Sequence, residues 1–227
     1  MILKLLRFES EVVIEPDAVA TLQIEDRSLF ARAVASLSSE KAEEAEEPYA
    51  LWDDDGKKHS PRGAFLVLDS LPSIPLNDRK LLGKLYTKIA ASIEEDVEAK
   101  DELAMTMSKL QSLLLDENVE LWGTYEFNAV WEVGQILKAF SFQPMEEEAQ
   151  PLLDSLVGFF GLCADVGLQQ PLLLVNAKSF FTEEELSELA SQAFFYGISL
   201  LMLESWPDGT HHDWERKTRI DQWFLEN

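Results

Sequence analysis

The chain has 227 residues, of which 46% are hydrophobic, so it can bury a full core as one domain of ordinary size or as one domain with a large insertion. Its 42 acidic and 19 basic residues give a formal charge of −23, which on average repels nucleic acids and acidic membranes. This charge excludes a broadly basic surface, and any contact with a polyanion must use a local patch.

The first part of the chain predicts strands followed by one amphipathic helix. Residues 12–14 and 18–24 are short apolar runs, and residues 29–37 then place large apolar side chains on one helix face. Residues 1–8 lack the long apolar core of a secretory signal, and the uncharged residues 189–203 are too few to cross a bilayer as a helix. We therefore expect a cytoplasmic protein that makes no membrane contact.

A second group of predicted strands lies around an acidic turn. Residues 49–52 and 65–68 have the pattern of strands that flank residues 53–56, whose Asp-Gly pair favours a hairpin. The second strand ends at Asp69, where many nucleotide hydrolases place a magnesium-binding aspartate. That function also needs a GxxxxGK[ST] phosphate loop, which the sequence lacks, so we interpret Asp69 as a cap or a hydrogen-bonded strand end.

Residues 76–140 have the 3.6-residue period of long helices, with Asn77 placed to cap the first one. Two sets of apolar residues recur at helical spacing: Leu81, Leu85, Ile89 and Ile93, and then Leu103, Met107, Leu110 and Leu114, which form a narrow packing seam. Because these helices separate two groups of strands, we predict an α/β head domain from residues 1–75 and 145–227. Residues 76–144 would form an inserted helical leg, and such an arm often makes subunit contacts.

Basic residues cluster in two places despite the acidic background. Arg79, Lys80, Lys84 and Lys88 fall within ten residues, and the three lysines repeat every fourth residue, so they form one stripe along a helix. Such a stripe has the shape needed to follow a phosphate backbone. The alternative is an ordinary polar helix face opposite the core. A second, looser basic patch beside the acidic turn consists of Lys57, Lys58 and Arg62.

Clustered carboxylates between two helices of the predicted leg are candidate metal ligands. The acidic residues concerned are Asp116, Glu117, Glu120 and Glu126. Asp116 and Glu120 lie four residues apart and would share one helix face. Hard cations such as calcium take six to eight oxygen ligands, which such a cluster supplies. The alternative is a solvated acidic face, which is common in a chain of this composition.

The last third of the chain predicts a helix and then a βαβ unit. The helix covers residues 151–166, where the single cysteine, Cys163, lies in an apolar run and is expected to be a buried structural thiol. Residues 172–175 and 198–203 are apolar runs that suit parallel strands buried on both faces. Between them Thr182 and Glu185 form a capping box ahead of an amphipathic helix. The chain is therefore predicted to be α/β, with a mainly parallel sheet.

Catalysis finds little support in the sequence, and we expect that the protein is not an enzyme. It contains no Gly-x-Ser-x-Gly elbow, no metal-spaced cysteine pair and no histidine-rich ligand set.

The order of short motifs along the chain resembles the CRISPR-associated Csn2 family of type II-A systems, whose members are accessory proteins of spacer acquisition. Each motif is short, and the specificity of the resemblance lies in the series, which spans nearly the whole chain. The matching segments are 22–26 (LQIED) followed by Phe30, 66–69 (LVLD) with Asn77 downstream, 173–176 (LLVN) followed by 181–185 (FTEEE), 201–204 (LMLE) and 220–224 (IDQWF).

The resemblance implies an α/β head similar to nucleotide-hydrolase folds but without a working phosphate loop, and a helical leg inserted into it. It also implies a ring-shaped homotetramer that binds calcium and threads double-stranded DNA ends through a positive channel. In that picture the lysine stripe contacts phosphates, and carboxylates around Asp116 and Glu120 hold calcium. Expected partners are the CRISPR integrase and effector proteins of the same locus.

Two other functions stay open at this stage. One is an acidic protein-interaction module or DNA mimic, whose negative face occupies the basic site of a partner and which binds no DNA. The other is a nucleotide-dependent enzyme with a degenerate phosphate site.

Overall fold

The computed structural model describes residues 1–39, 46–53, 55–116, 123, 132–145 and 149–226, and of Leu115 and Asp116 it describes the backbone alone. The chain forms two compact units. The first, called the α/β unit, consists of Met1–Pro75 and Glu146–Asn227, and the second, called the helical unit, is Leu76–Met145. No helix among these described residues is long and apolar enough to span a membrane.

A five-stranded parallel sheet is the centre of the α/β unit, which confirms the predicted α/β class. Its strands lie in the order β6, β7, β8, β3, β9, and every neighbouring pair is parallel. A smaller antiparallel sheet has the order β2, β1, β4, β5. The strands are Ile2–Leu5 (β1), Val12–Val13 (β2), Val19–Ile24 (β3), Tyr49–Trp52 (β4), Lys58–His59 (β5), Leu66–Leu68 (β6), Leu172–Val175 (β7), Leu200–Glu204 (β8) and Glu215–Ile220 (β9).

The parallel sheet is buried on both faces over its central strands. Leu22 and Leu201 belong to a core that also includes Leu29 and Ala33 of helix α1 (Arg27–Ser38) and Leu3 of the smaller sheet. Alternate residues of the same strands face the other way and are also buried. Helices α5 (Leu152–Asp165) and α6 (Glu183–Phe195) pack on each other and bury Phe159, Phe160, Cys163, Leu186 and Leu189.

The predicted βαβ unit is confirmed. Strands β7 and β8 pair in parallel, with Leu172 opposite Leu200, and α6 connects them. Thr182 caps α6 by accepting the Glu185 N–H, and the Glu185 carboxylate accepts the Thr182 N–H at 2.8 Å, so the predicted capping box is present. The capping box depends only on residues that are three positions apart, which is why the motif could be found in the sequence.

The predicted hairpin partner is wrong. The acidic turn does form, with Gly56 at φ +75° and the Asp53 N–H donating to the Lys57 carbonyl at 3.0 Å. However, β4 pairs through it with the short strand β5, and β6 instead runs parallel to β7 in the other sheet. The turn fixes only the residues next to it, and the apolar residues of β6 suit a parallel sheet, in which Leu68 is buried.

The helical unit contains α2 (Arg79–Glu95), α3 (Val97–Asp116) and α4 (Val133–Ala139). The N-cap of α2 is Asp78 and not the predicted Asn77, because the Asp78 carboxylate accepts the N–H groups of Lys80 and Leu81. The predicted seam on α3 is only partly buried. Met107 is 8% exposed, whereas Leu110 and Leu114 are 38% and 55% exposed.

We predict that Asp78→Ala destabilises α2, because two N–H groups of its first turn lose their acceptor. The expected loss is about 1 kcal/mol in the free energy of unfolding, measured by urea denaturation with circular dichroism. Asp101→Ala, at an exposed position within α3, is the control and should change the stability by only a few tenths of that amount. Equal losses in the two variants would contradict the role given to Asp78.

Candidate nucleic-acid interface

Helix α2 presents its basic stripe and its apolar residues on different sides. Lys80, Lys84 and Lys88 are all exposed, whereas Leu81 and Tyr86 are buried. A rise of about 1.5 Å per residue gives the stripe a length of about 12 Å, enough to face three or four phosphates of one DNA strand. The predicted stripe is thus an accessible, regularly spaced row of ammonium groups.

Two contacts fix the position of α2 within the helical unit. The Asp78 cap sets where the helix begins, and the Tyr86 hydroxyl donates a hydrogen bond of 2.6 Å to the Phe142 carbonyl. Tyr86 lies on the buried side, so this bond orients the lysines toward solvent. Arg79 is exposed at the first helical position and lies off the stripe.

The second predicted basic group lies in the α/β unit, so the structure does not bring the seven basic residues into one patch of one unit. Lys57, Lys58 and Arg62 are exposed; Lys58 lies in strand β5, Lys57 directly before it and Arg62 shortly after it. Arg62 lines an open cavity of about 680 Å³ together with Asp53 and His59, whose side chains lie 3.4 Å apart. The hydrogen bond from the backbone N–H of Lys57 has the largest effect on the pKa of Asp53 and lowers it; burial opposes this effect and His59 adds to it, so the turn keeps a negative charge beside the cations.

The predicted calcium ligands fall largely outside the described residues. Asp116 ends α3, where only its backbone is described, and Glu117, Glu120 and Glu126 lie in the part of the chain without description. Among the described residues, no group of three His, Cys, Asp or Glu side chains is arranged to hold a metal ion. The calcium site therefore stays a prediction.

The position that holds phosphate in nucleotide hydrolases carries a carboxylate here. In such folds the loop between a central parallel strand and the next helix wraps the phosphates at the helix N-terminus. Here β3 and α1 are separated only by Glu25 and Asp26, and the Asp26 carboxylate accepts the Leu29 N–H at 2.8 Å. A two-residue acidic connection cannot cradle a phosphate.

A group of charged residues that was not predicted from the sequence lies on strands β8 and β9 and on the segments next to them. We call it the charged cluster; its members are Lys178 on the 3-10 helix Ala177–Ser179, Glu204 at the end of β8, Asp208, and Glu215 and Lys217 on β9. They come from four separate places in the chain. Strand β9 places Glu215, Lys217 and Arg219 on one face, but Arg216 on the other face is charged as well, so the sequence shows no alternation of charged and apolar residues there.

Short, buried contacts hold the charged cluster together. Lys178 Nζ donates to Asp208 Oδ2 at 2.7 Å and to Glu215 Oε1 at 2.6 Å, and the Lys178 N–H donates to Glu204 Oε1 at 3.1 Å. Lys217 Nζ donates to Asp208 Oδ2 at 3.0 Å. The side chains of Lys178, Lys217 and Glu215 are only 12%, 8% and 1% exposed. These contacts tie Lys178 on the 3-10 helix to residues that lie 26 to 37 positions later in the chain.

The charged cluster shifts the pKa of three of its members. Burial raises the pKa of Glu204 to about 7, against the smaller opposing effect of Lys178. Burial would also raise the pKa of Asp208, but hydrogen bonds from Lys178, Thr210 and Lys217 outweigh it and lower that pKa. For Lys178, burial favours the neutral form, yet its bonds to Asp208 and Glu215 raise the pKa. Glu204 is thus the member that takes up a proton near neutral pH.

Comparisons with known proteins agree on one family and one fold. Residues 43–213 match the family model described as CRISPR-associated protein (Cas_Csn2). The crystal structure of Stu0660 of Streptococcus thermophilus is similar, with a TM-score of 0.57 and 14% sequence identity, covering 96% of this chain and 74% of that chain. At this identity the likeness concerns the fold alone. No curated protein sequence matches the chain.

Proposed function

Because the chain belongs to the CRISPR-associated Csn2 family, we propose that it binds the ends of double-stranded DNA without sequence preference and breaks no bond. The membership itself gives the protein a CRISPR-associated role in defence, and the proposal places that role in spacer acquisition. The observation that carries the DNA-binding part is the exposed stripe of Lys80, Lys84 and Lys88 on α2.

The electrostatics of the chain favour a local contact with DNA. With a net charge of −23, most of the surface repels a polyanion, so attraction must come from the stripe. A homotetrameric ring accounts for both facts, since each subunit would direct its lysines inward and its surplus acidic residues outward. Lys57, Lys58, Arg62 and Arg79 are further phosphate contacts in this proposal. Neutralising ~6–10 phosphates would make binding strongly dependent on salt.

Calcium and protein partners complete the proposal. Asp116, Glu117, Glu120 and Glu126 would supply the carboxylate oxygens that calcium prefers and would fix the geometry of the leg. The CRISPR integrase and effector proteins of the same locus would receive or position the bound DNA. The lysines hold phosphates in this proposal, and no residue is assigned a catalytic step.

An acidic protein-interaction module or DNA mimic is the second candidate, and the observation in its favour is the excess of acidic residues, 42 against 19. It predicts binding to basic proteins and no binding to DNA. A nucleotide-dependent enzyme is opposed by the β3–α1 connection, where the Asp26 carboxylate occupies the helix N-terminus. Such an enzyme would turn over nucleotide, which neither other candidate does.

The experiment that tests the proposal measures the affinity for short linear duplexes of two unrelated sequences over a range of salt concentrations. Equal affinities for both sequences and a slope near −0.9 per contacted phosphate in log affinity against log salt are expected. Absence of binding at low salt, together with binding to a basic protein such as a histone, would replace the proposal by the DNA mimic.

We further predict that removing calcium with a chelator weakens binding of the linear duplex by roughly tenfold, within the range typical of coupling between two sites. Magnesium at the same concentration is the control and should restore little, because it keeps its water ligands and an octahedral geometry. Unchanged affinity in the chelator would remove calcium from the proposal, while the salt slope still tests the DNA contact by itself.

A further inference from the structure

The segment of residues 205–214, which we call the covering segment, is attached to the α/β unit by polar contacts. None of its residues is buried. Ser205 donates to Asn176 Oδ1, the Asp208 N–H donates to Gln23 Oε1 at 3.2 Å, and Lys217 Nζ donates to the Thr210 carbonyl at 2.7 Å. Because none of its residues is buried, the covering segment has the features of a region that opens locally at low free-energy cost.

A cavity of about 330 Å³ lies beside the covering segment. The segment contributes Trp206, Asp208 and Thr210 to its lining, and Lys178, Glu204 and Leu186 contribute from other elements. The strongest attachment of the segment, the pair of ammonium groups on the Asp208 carboxylate, therefore lies at the same cavity as Glu204. Both are linked to Lys178: its backbone N–H donates to Glu204, and its ammonium group donates to Asp208 of the covering segment.

The charges around Glu204 do not balance when every group is ionised. Three carboxylates of the charged cluster face two ammonium groups, and Glu204 is only 3% exposed. The charged or titratable groups around Glu204 are Lys178 from the 3-10 helix, Asp208 and His212 from the covering segment, Glu215 and Lys217 from β9, Glu183 from the start of α6, and the Glu25–Arg219 pair beside β3. The Lys178 ammonium group bonds Asp208 and Glu215, whereas Glu204 accepts only the backbone N–H of Lys178, so an ionised Glu204 is a further buried negative charge beside these two carboxylates.

We propose that the covering segment is a proton-controlled cover over this cavity, held closed while Glu204 carries a proton and opening more readily once Glu204 is ionised. Opening exposes Glu204 to water, which solvates its charge, and moves the Asp208 carboxylate of the covering segment away from it. This inference goes beyond DNA binding and does not depend on it.

The direction of the pH effect follows from the two states of Glu204. In the closed state burial raises the pKa of Glu204 to about 7, whereas an exposed glutamate titrates near 4.5. Between these two pKa values, the closed state binds one proton more than the open state. The free energy that this proton contributes to closure is fully present below pH 4.5, and it is lost as the pH rises through about 7. Above pH 7 the effect levels off, because Glu204 is then ionised in both states.

Hydrogen–deuterium exchange measured on the full chain tests this proposal. After correction for the intrinsic exchange rates, protection of peptides from the covering segment is expected to fall roughly thirtyfold between pH 5 and pH 7 and then to stay constant. Glu204→Gln, which mimics the protonated form, should keep the protection high across this range. Peptides from β7 should show no comparable change.

Glu184→Gln is the matched control, because it removes the same charge from an exposed position on α6. This variant should keep the pH dependence of the wild type. The proposal is overturned if the covering segment is equally protected at pH 5 and pH 7, or if Glu204→Gln retains the full pH dependence.

Discussion

Replacing Lys80, Lys84 and Lys88 together by glutamine is expected to lower the affinity for linear double-stranded DNA roughly a hundredfold to a thousandfold near 0.1 M salt. Each lysine that neutralises a phosphate releases about 0.9 counterion, which near this salt concentration corresponds to roughly tenfold in affinity. The slope of log affinity against log salt should become shallower by about 0.9 for each phosphate that is no longer neutralised. Fluorescence anisotropy with a labelled duplex measures both quantities.

The fold should survive this triple change. The three lysines are exposed, and glutamine has nearly the same helix propensity as lysine. The control replaces Lys100, Lys109 and Lys138 by glutamine, because these residues are exposed in the same helical unit and the change in net charge is identical. An equal loss of affinity in both variants would mean that net charge, and not the stripe on α2, governs binding.

Lys178→Met is expected to be the most destabilising single substitution of a charged residue among those considered. It leaves Asp208 with Lys217 as its remaining ammonium partner and leaves Glu215, 1% exposed, with a partner at 3.6 Å. Removing one member of a buried ion pair typically costs about 3–5 kcal/mol, since the other charge stays buried without compensation. Urea denaturation at pH 7 measures this loss in the free energy of unfolding.

Lys100→Met is the matched control for Lys178→Met. Lys100 pairs with Glu94 at the surface, where both side chains are more than half exposed, so its removal should cost less than about 1 kcal/mol. Adding Asp208→Asn to Lys178→Met should recover part of the loss, because Lys217 then has one ionised carboxylate fewer to compensate and can pair with Glu215. A cost for Lys178→Met similar to that of the control would contradict the structural role of the charged cluster.

Local patterns were sufficient to predict the centre of the fold. The apolar strands β7 and β8 and the capping box at Thr182 and Glu185 each depend on neighbouring residues, so they are visible in the sequence. Strand β9 was missed because its residues are largely charged. It lies at the edge of the sheet and its ion pairs with distant residues, such as Arg219 with Glu25, replace apolar burial.

Contacts between distant segments explain the remaining differences. Strand β6 pairs with β7, more than 100 positions later, and the turn beside β4 gives no information about that choice. The charged cluster likewise joins Lys178 to residues 26 to 37 positions later. By contrast, the basic stripe on α2 was predictable, because it depends only on the helical period and on the exposure that follows from Leu81 and Tyr86 facing the core.

The most direct test of DNA-end binding by a ring compares linear and covalently closed circular double-stranded DNA of the same sequence, with light scattering used to read the mass of the protein. We predict a particle with the mass of four chains that holds linear DNA in calcium, releases it as salt rises, and does not bind closed circles. A monomer that binds neither form, or a particle that binds both forms equally, would contradict end binding by a ring.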